Sequence, residues 1–374
     1  MKRALNPSEP ASLLPGLPQG AEILIIRLRS LGDVVLLTPA TSALHSWRPD
    51  LRISVLVEPA WAAVLEGNPA IHEVALAGPF LNTAAKLHRR NFPIVFNQHG
   101  GPSSAFLTAA SRAEIRVCWK GRQFGFIYNV HAPDAVEYYG TLQVHTVEQR
   151  MAQFYWSGLP RGPIPRAEVF PQPDAKSSVA KKLQERGIEP GEDYAVLQPG
   201  ARYFTKQWPL DRFAATSRWL REAHGLKSIV PLGPDERSLA KAARAQFGDT
   251  AVVEESLDLG ELIALIAGAR IFVGNDAGPT HLAAAAGTPS VVIFGSSSSV
   301  HWRPWHVEHR VVQNEFECNP CKGDRCYAFD EPRCILSVTF EQVRDACNAI
   351  LGRQHVANSS DANLSDQVRK IETL

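Results

Sequence analysis

The stretch RIFVGNDAGPTHLAAAAGTPSVVIF, residues Arg270–Phe294, decides the fold of this chain. Its apolar run Arg270–Val273 predicts a buried strand, its small-residue run Thr280–Ala286 predicts a helix, and Ser290–Phe294 predicts a second strand. A strand, a helix and a strand in this order form a βαβ unit, and such units build parallel sheets. A short loop of Gly, Asn, Asp and Gly joins the first strand to the helix.

Outward from this unit, apolar strands and amphipathic helices alternate in both halves of the chain. The other predicted strands are Glu22–Arg27, Arg52–Val57, Val74–Ala77, Ile94–Asn97, Tyr194–Gln198, Ser228–Leu232 and Ala251–Val253. The other predicted helices are Asp33–Trp47, Pro59–Glu66, Leu81–Arg90, Thr146–Trp156, Leu210–His224, Leu239–Phe247 and Leu259–Ala267. This order predicts an α/β protein of two doubly wound, Rossmann-like lobes facing a central cleft, and the cleft is the expected ligand site.

The segment Pro160–Pro173 marks the boundary between the two lobes, because it carries five prolines and no helical pattern. We predict a flexible leader over residues 1–20, a first lobe over 21–160, a linker over 161–176 and a second lobe over 177–352. A polar tail follows over 353–374, and its last stretch, Ser365–Leu374, predicts a marginal helix.

Composition narrows the class of protein. The 374 residues are 45% hydrophobic and 21% charged, with a formal net charge of +1, which is typical of a globular protein and gives no surplus of charge for nucleic acid. No apolar run approaches the ~20 residues of a membrane-spanning helix, and prolines interrupt the N-terminal region where a signal peptide would need an apolar core. We therefore expect a cytoplasmic protein with reduced cysteines.

Several motifs of common enzyme classes are absent from the sequence. There is no Gly-x-Gly, no Gly-Lys pair, no Gly-x-Ser-x-Gly and no His-Glu-x-x-His, which disfavours dinucleotide-dependent dehydrogenases, P-loop proteins, serine hydrolases and zincins. There is also no Asp-x-Asp with which to hold a metal ion against a sugar-nucleotide diphosphate.

Three strand-end loops carry candidate chemistry. Asp33 follows the first predicted strand beside Gly32, and it is either a helix cap or a carboxylate that takes a proton in the cleft. Lys206 follows a strand in the second lobe, where a phosphate would lie, and the alternative is a solvated loop lysine. Asp276 and His281 flank the start of the small-residue helix, whose N-terminal amides favour a pyrophosphate; the alternatives are a cap and a packing histidine.

Together these segments resemble glycosyltransferase family 9, the heptosyltransferases of the lipopolysaccharide core, over roughly residues 22 to 350. The opening motif of the family is matched by Arg27, Gly32, Asp33 and Pro39. Its Pro-Gly-Ala…Thr-Lys-x-Trp-Pro loop is matched by Pro199, Gly200, Ala201, Thr205, Lys206, Trp208 and Pro209. Its Asp-x-Gly-x-x-His-Leu-Ala-Ala signature is matched by Asp276, Gly278, His281, Leu282, Ala283 and Ala284.

The resemblance implies a GT-B fold with an acceptor-binding first lobe and a second lobe that binds a nucleotide sugar. It gives Asp33 the role of general base and places Ser30 and Gly32 in the acceptor-side loop. It gives donor and diphosphate contacts to Lys206, Asp276, Ala277, Gly278, Thr280, His281, Ala201, Arg202, Glu236 and Leu257. Among these, Glu236 stands at a ribose contact and Leu257 at the border of the adenine.

The implied activity is inverting transfer of heptose from ADP-heptose to a lipopolysaccharide inner-core acceptor, without a metal in the chemistry. Two alternatives remain, a same-fold transferase that uses a UDP-hexosamine and a non-catalytic bilobed sugar-binding protein. A lipid-linked acceptor implies transient contact with the inner face of the inner membrane. Basic and aromatic side chains in the first lobe are candidate contacts for acceptor phosphates: Arg112, Arg116, Trp119, Lys120 and Arg122. The alternative for these is a solvated surface.

Four cysteines, Cys318, Cys321, Cys326 and Cys334, form a compact cluster late in the chain. Four thiolates are a candidate structural zinc site, although the spacing is irregular for a zinc ribbon. Reduced or disulfide-linked thiols are the alternatives. Trp302 and Trp305, just before the cluster, are interpreted as packing aromatics, and the alternative is stacking against a sugar.

Overall fold

The computed structural model describes residues 12–352 and contains two six-stranded parallel sheets. The strands of the first sheet are β1 (Glu22–Ile26), β2 (Arg52–Val57), β3 (Glu73–Leu76), β4 (Ile94–Asn97), β5 (Ile115–Trp119) and β6 (Val130–Ala132). The strands of the second are β7 (Tyr194–Gln198), β8 (Lys227–Pro231), β9 (Ala251–Glu254), β10 (Ile271–Asn275), β11 (Ser290–Ile293) and β12 (His309–Val312).

Helices cover both sheets. In the first half they are α1 (Leu31–Val35), α2 (Thr38–Trp47), α3 (Phe80–His88), α4 (Pro102–Ala110), α5 (Ala135–Tyr139) and α6 (Thr146–Trp156). In the second half they are α7 (Pro173–Glu185), α8 (Leu210–His224), α9 (Arg237–Phe247), α10 (Leu259–Ala267), α11 (Gly278–Ala286), α12 (Ser299–Trp302) and α13 (Arg333–Leu336). Residues 340–352 are also helical.

Both sheets have the same doubly wound strand order. The first runs β3-β2-β1-β4-β5-β6 and the second runs β12-β11-β10-β7-β8-β9. In each sheet the order in which the chain adds strands reverses beside the first strand of that lobe, β1 or β7. The crevice at such a reversal, outside the carboxyl ends of the strands, is the usual ligand site of an open α/β sheet. These points lie between β1 and β4 in the first sheet and between β7 and β10 in the second. The predicted pair of doubly wound lobes is confirmed.

The apolar sequence of β1 explains why it lies at the centre of its sheet. Ile23 and Ile25 pack into one hydrophobic cluster, whereas Leu24 and Ile26 pack into another on the opposite face. Successive side chains of a strand point to opposite faces, so a strand covered by helices on both sides must be apolar throughout. The cluster that holds Ile23 continues into the second lobe as far as Phe272, so apolar packing joins the lobes at the base of the cleft.

Some predicted boundaries are wrong. Residues 12–20 are not a free leader, because Leu14 and Leu17 are buried in the first lobe and Arg48 contacts the carbonyls of both. The helix predicted over Asp33–Trp47 is two helices, since Pro39 lies in the first turn of α2 and lacks the N–H that a continuous helix would need. The predicted linker also loses its last four residues to α7. Residues 1–11 and the predicted tail lie outside the described residues.

Candidate active site

The reversal of the first sheet brings together the loops that follow β1 and β4. Asp33 lies in the first turn of α1, and the Ser30 hydroxyl donates a hydrogen bond of 3.1 Å to its Oδ2. Gln98 directly follows β4, which pairs with β1 in parallel register. Asp33 is therefore a half-buried carboxylate at the cleft edge of the first lobe. This is the position that the sequence predicts for it.

Two arginines hold the Asp33 carboxylate. Arg27, at the end of β1, forms an ion pair with Oδ2, and Arg150, from α6, donates to Oδ1 at 2.5 Å. The Gln98 carbonyl oxygen accepts from the same two arginines, at 2.6 Å from Arg27 Nη1 and 3.3 Å from Arg150 Nη1. We call Asp33, Arg27, Arg150 and Gln98 the arginine clamp.

The electrostatics of the clamp keep Asp33 ionised. Burial acts to raise the pKa of Asp33, but Arg150, Arg27 and the Ser30 hydroxyl together hold this pKa below its ordinary value. Because the folded-state pKa is depressed, the charged form persists down to pH values below those at which an unperturbed aspartate takes up a proton.

The reversal of the second sheet brings together the loops that follow β7 and β10. Lys206 Nζ lies 2.7 Å from Asp276 Oδ2, and the Ser297 hydroxyl donates to the same oxygen. Asp276 is 4% exposed, and these two partners contact its carboxylate. The Asn275 side chain ties the two loops together, since it accepts from the Trp208 amide and donates to the Pro199 carbonyl.

Helix α11 begins at this second reversal. Its N-cap residue, Ala277, offers no side chain to the free amides of the first turn. Thr280 and His281 are buried in that turn; the Thr280 hydroxyl donates to the Asn275 carbonyl at 2.7 Å. Burial lowers the pKa of His281, so its ring is neutral near pH 7.

The two lobes touch through glycines. A Cβ added to Gly32 would lie 2.6 Å from His281 Cδ2, and one added to Gly278 would lie 2.9 Å from Leu31 Cδ2. The loop that carries Asp33 thus packs directly against the start of α11. The structure brings the predicted acceptor-side residues Gly32 and Ser30 next to the predicted donor-side residues Gly278 and His281.

Because no side chain fits at this contact, Gly32→Ala is expected to separate the loops or to displace the buried His281 ring. We expect overpacking of this kind to lower the free energy of unfolding by about 1–3 kcal/mol and to reduce turnover. Thermal melting and a transfer assay check this. Gly78→Ala is the matched control, because a Cβ there meets nothing within 4 Å. Wild-type melting and turnover of Gly32→Ala would contradict the contact.

Glu236 joins the second site from the loop after β8. Its carboxylate accepts from the Gly233 amide at 2.9 Å and from Gln198 Nε2 at 3.3 Å. A Cβ on Gly200 would lie 1.5 Å from Glu236 Oε1, so the missing side chain at Gly200 makes room for this carboxylate. Burial raises the pKa of Glu236. Its position beside Gln198, at the end of β7, places it at the cleft edge of the second lobe.

Of the other predicted donor contacts, Leu257 and Arg202 stand apart from this group, whereas Ala201 belongs to the loop of Lys206. Leu257 lines a separate small cavity with residues of α7, β9 and α10, including Val179, Glu254 and Leu265. Arg202 is exposed, with its guanidinium 5.5 Å from the centre of the Tyr203 ring. The Ala201 carbonyl accepts from Gln207 Nε2 at 2.7 Å and so shapes the loop that carries Lys206.

Most of the predicted acceptor-phosphate contacts in the first lobe lie elsewhere. Trp119 is buried in the core, which excludes it from contact with a ligand. Arg116 donates to the carbonyls of Ile127 and Ala113, and Lys120 pairs with Glu137. Arg112 is exposed just after α4.

Arg122 differs from the other basic residues of that group. A Cβ added to Gly100 would lie 3.4 Å from the Arg122 side chain. The charge of Arg122 also contributes to lowering the pKa of Arg27. Arg122 therefore lies beside the arginine clamp.

The cysteine cluster packs behind the Lys206 loop. Cys318, Cys321, Cys326 and Cys334 line one small cavity together with Thr205 and Ser296, and all six cysteines of the chain carry free thiols. Thr205, next to Lys206, donates to the Gly323 carbonyl of this segment. Within residues 12–352, no three side chains of the His, Cys, Asp and Glu types are arranged to hold a metal ion. Zinc binding by these four cysteines stays a prediction.

A groove in the second lobe was not predicted. Its cavity volume is about 700 Å³, and it is lined by Ser297, Gln313, Asn314 and Phe316, among others. It begins at Ser297, which holds Asp276, and extends along the ends of β11 and β12. Ligands of open parallel sheets bind outside the carboxyl ends of the strands, so recognition of β12 in the sequence would have indicated this region.

Among residues 12–352, no helix combines the length and apolar composition that crossing a membrane requires.

Comparison with known proteins places the chain in a family. The model of glycosyltransferase family 9 (heptosyltransferase) matches residues 81–329, more than half of the chain. Lipopolysaccharide heptosyltransferase 3 of Escherichia coli is 27% identical over 297 residues, which cover 74% of this chain and 84% of that protein.

Solved structures share the fold. A family 9 glycosyltransferase from Veillonella parvula has a TM-score of 0.78 at 19% identity, covering 90% of this chain and 99% of that one. ADP-heptose lps heptosyltransferase II of E. coli has a TM-score of 0.75 at 19% identity, and the match covers 89% of this chain and 99% of that one. The expected GT-B fold is confirmed. The chain therefore belongs to glycosyltransferase family 9, the heptosyltransferases, and is a glycosyltransferase.

Proposed function

We propose that this protein transfers heptose from ADP-heptose to an acceptor in the inner core of lipopolysaccharide, with inversion at the anomeric carbon and with Asp33 as the general base. The observation that carries the proposal is the contact between Gly32 and His281, which sets the Asp33 loop against the start of α11. One lobe thus supplies a carboxylate and the other supplies a loop suited to a diphosphate, across the same cleft.

The proposed reaction is a direct displacement. Asp33 accepts the proton of an acceptor hydroxyl while that oxygen attacks the anomeric carbon from the face opposite the diphosphate. The bond from the anomeric carbon to the diphosphate oxygen breaks, and its electron pair leaves with the diphosphate. Help from a general base contributes about 10²–10⁴-fold to such a step.

The second lobe stabilises the leaving group in this proposal. Lys206 supplies a cation, and the first turn of α11 supplies backbone N–H groups and the positive end of a helix dipole. Asp276 orients Lys206 through their 2.7 Å ion pair. Because a fixed cation and amides already face the diphosphate, the chemistry we propose requires no metal ion.

The choice of donor rests on the relatives and on Glu236. One structural relative is named for ADP-heptose. Glu236 lies at the end of β7 and β8, where its carboxylate can accept hydrogen bonds from ribose hydroxyls. We place the acceptor at the arginine clamp of the first lobe. A lipid-linked acceptor would bring the protein transiently to the inner face of the inner membrane, and the proposal accordingly places it in the cytoplasm.

A thermal-shift panel of ADP, UDP, GDP and CMP tests the donor. A ligand that binds the native protein at 100 times its Kd stabilises it by about 2.7 kcal/mol, so we expect ADP to raise the melting temperature by several degrees and the others to raise it less. A larger shift with UDP would favour the UDP-hexosamine alternative. No shift with any nucleotide would contradict a nucleotide-sugar donor, as the sugar-binding alternative predicts.

A further inference from the structure

The arginine clamp contains more positive than negative charge. Each oxygen of the Asp33 carboxylate contacts a different arginine, and both arginines also donate to the Gln98 carbonyl. The side chains of Arg27, Arg150 and Asp33 are 7%, 12% and 20% exposed. The Nε atoms of both arginines are buried and have no hydrogen-bond partner among residues 12–352.

The groups around the clamp add to this surplus. The positive charge of Arg122 contributes to lowering the pKa of Arg27, and that of Arg29 contributes to lowering the pKa of His99. Burial, aided by Arg27, lowers the pKa of His99 to about 4, and burial lowers the pKa of His281, so neither ring is charged near pH 7. Two guanidinium groups therefore contact the Asp33 carboxylate, and Arg122 adds a third positive charge close to Arg27. Positive charge concentrated in a partly buried site favours an anionic ligand there.

The clamp also restrains the base. A carboxylate whose two oxygens both contact arginines is a weak proton acceptor, because each cation stabilises the charged form. Proton transfer to Asp33 Oδ1 requires that oxygen to be free, and Arg150 is the residue that occupies it. Arg27 is the more firmly held of the two, since it lies at the end of β1 and its bond to Gln98 is 2.6 Å against 3.3 Å for Arg150.

The backbone around Arg150 is fixed from both sides. Gln98 Nε2 donates to Gln153 Oε1 at 2.7 Å, which holds α6 against β4. His145 caps α6 by accepting from the Val147 amide through Nδ1, so its Nε2 carries the proton and donates to the Arg303 carbonyl of the other lobe at 2.9 Å. A release of Asp33 by Arg150 is therefore a rotation of the side chain on a stationary helix.

We propose that Arg150 is a positioning residue that holds Asp33 until an acceptor binds, and then moves its contact to an anionic group of the acceptor, a carboxylate or a phosphate, beside the attacked hydroxyl. This inference rests on the proposed function, since it takes Asp33 as the base. The freed Oδ1 then accepts the hydroxyl proton as the oxygen attacks. An acceptor without the anionic group leaves Arg150 on Asp33 and reacts slowly.

The test compares wild type, Arg150→Gln and Arg150→Lys with an anionic acceptor and its neutral derivative, either carboxyl-reduced or dephosphorylated. With the anionic acceptor we expect Arg150→Gln to lose about 10- to 100-fold in kcat/KM, the range for a hydrogen bond to a charged group. With the neutral acceptor we expect it to be as fast as wild type or faster, because Asp33 is no longer held. Arg150→Lys keeps the charge and should recover part of the loss.

A pH profile separates this role from a structural one. Loss of Arg150 lets the pKa of Asp33 rise, so the acid limb of kcat/KM should move to higher pH in Arg150→Gln. Arg221→Gln is the matched control, since it removes the same charge from α8, where Arg221 forms an exposed ion pair with Asp249. Equal losses with both acceptors and an unmoved acid limb would overturn the inference. A loss confined to the KM of the donor would also overturn it, because the anion would then be the donor diphosphate.

A binding measurement keeps the inference independent of turnover. If wild type transfers heptose to neither acceptor, the proposed function fails, and calorimetry of the two acceptors then decides. Tighter binding of the anionic form by wild type, by about 10-fold or more, and loss of that preference in Arg150→Gln would still support Arg150 as the anion contact. Equal binding of both forms would refute it.

Discussion

Asp33→Asn is expected to lower kcat by about 10²–10⁴-fold while leaving the affinity for ADP nearly unchanged. Asparagine has the same size and can still meet the Ser30 hydroxyl, but it does not accept a proton at neutral pH. ADP affinity is spared because Lys206, Glu236 and α11 belong to the other lobe. Transfer kinetics and a calorimetric titration with ADP measure the two quantities.

The same variant removes the counter-ion of Arg27 and Arg150, so its melting temperature should also fall. Asp249→Asn is the matched control, because Asp249 pairs with Arg221 at an exposed site and has no route to the cleft. Turnover of Asp33→Asn within about threefold of wild type would show that another group takes the proton, since general-base help is worth at least ~10²-fold.

Lys206→Gln is expected to lower kcat by about 10²–10³-fold, the usual result of removing one donor that stabilises developing negative charge. Two effects combine in this loss. The diphosphate loses a cation. The Asp276 carboxylate, which is 4% exposed, also loses its ion pair and keeps the hydrogen bond from the Ser297 hydroxyl. That uncompensated charge would also repel the diphosphate.

The double variant Lys206→Gln with Asp276→Asn separates these effects. Partial recovery of kcat relative to Lys206→Gln would measure the repulsion, and the remaining loss would measure the role of the cation. Lys227→Gln is the matched control. Lys227 Nζ lies 3.0 Å from Glu192 Oε1, in an ion pair that is remote from the cleft. Normal turnover of Lys206→Gln with a lowered melting temperature would instead assign Lys206 a purely structural role.

The strands and helices with regular apolar patterns could be predicted from the sequence. The bounds of β2, β4, α6, β7, α8 and α10 agree with prediction residue for residue. The structure contains α4, α5, β5, β6 and β12 where no element was predicted, because these are short or lack a continuous apolar pattern. Helix α7 was not predicted, and its first four residues fall in the predicted linker, because it begins at Pro173, a residue that breaks a helix in its interior but suits its first turn.

The site was predictable where its residues belong to local motifs. Asp33, Lys206 and Asp276 each follow a recognisable strand, and the structure places all three at the reversals of their sheets. Arg150 carries no such signal, because its contact with Asp33 spans 117 residues and depends on how α6 packs against β4. Gln98 follows a correctly predicted strand, but its nearness to Asp33 depends on the order of strands in the sheet.

The arginine clamp bears on a side reaction open to every enzyme that activates a sugar. Water is a smaller and far more abundant nucleophile than a saccharide, and a free carboxylate beside an activated sugar would direct it to the anomeric carbon. If Asp33 is the base, the contacts of Arg27 and Arg150 with its two oxygens leave it little capacity to deprotonate a water molecule before an acceptor binds. In the proposed reaction, the ion pairs that weaken the base would thus protect the activated sugar from hydrolysis.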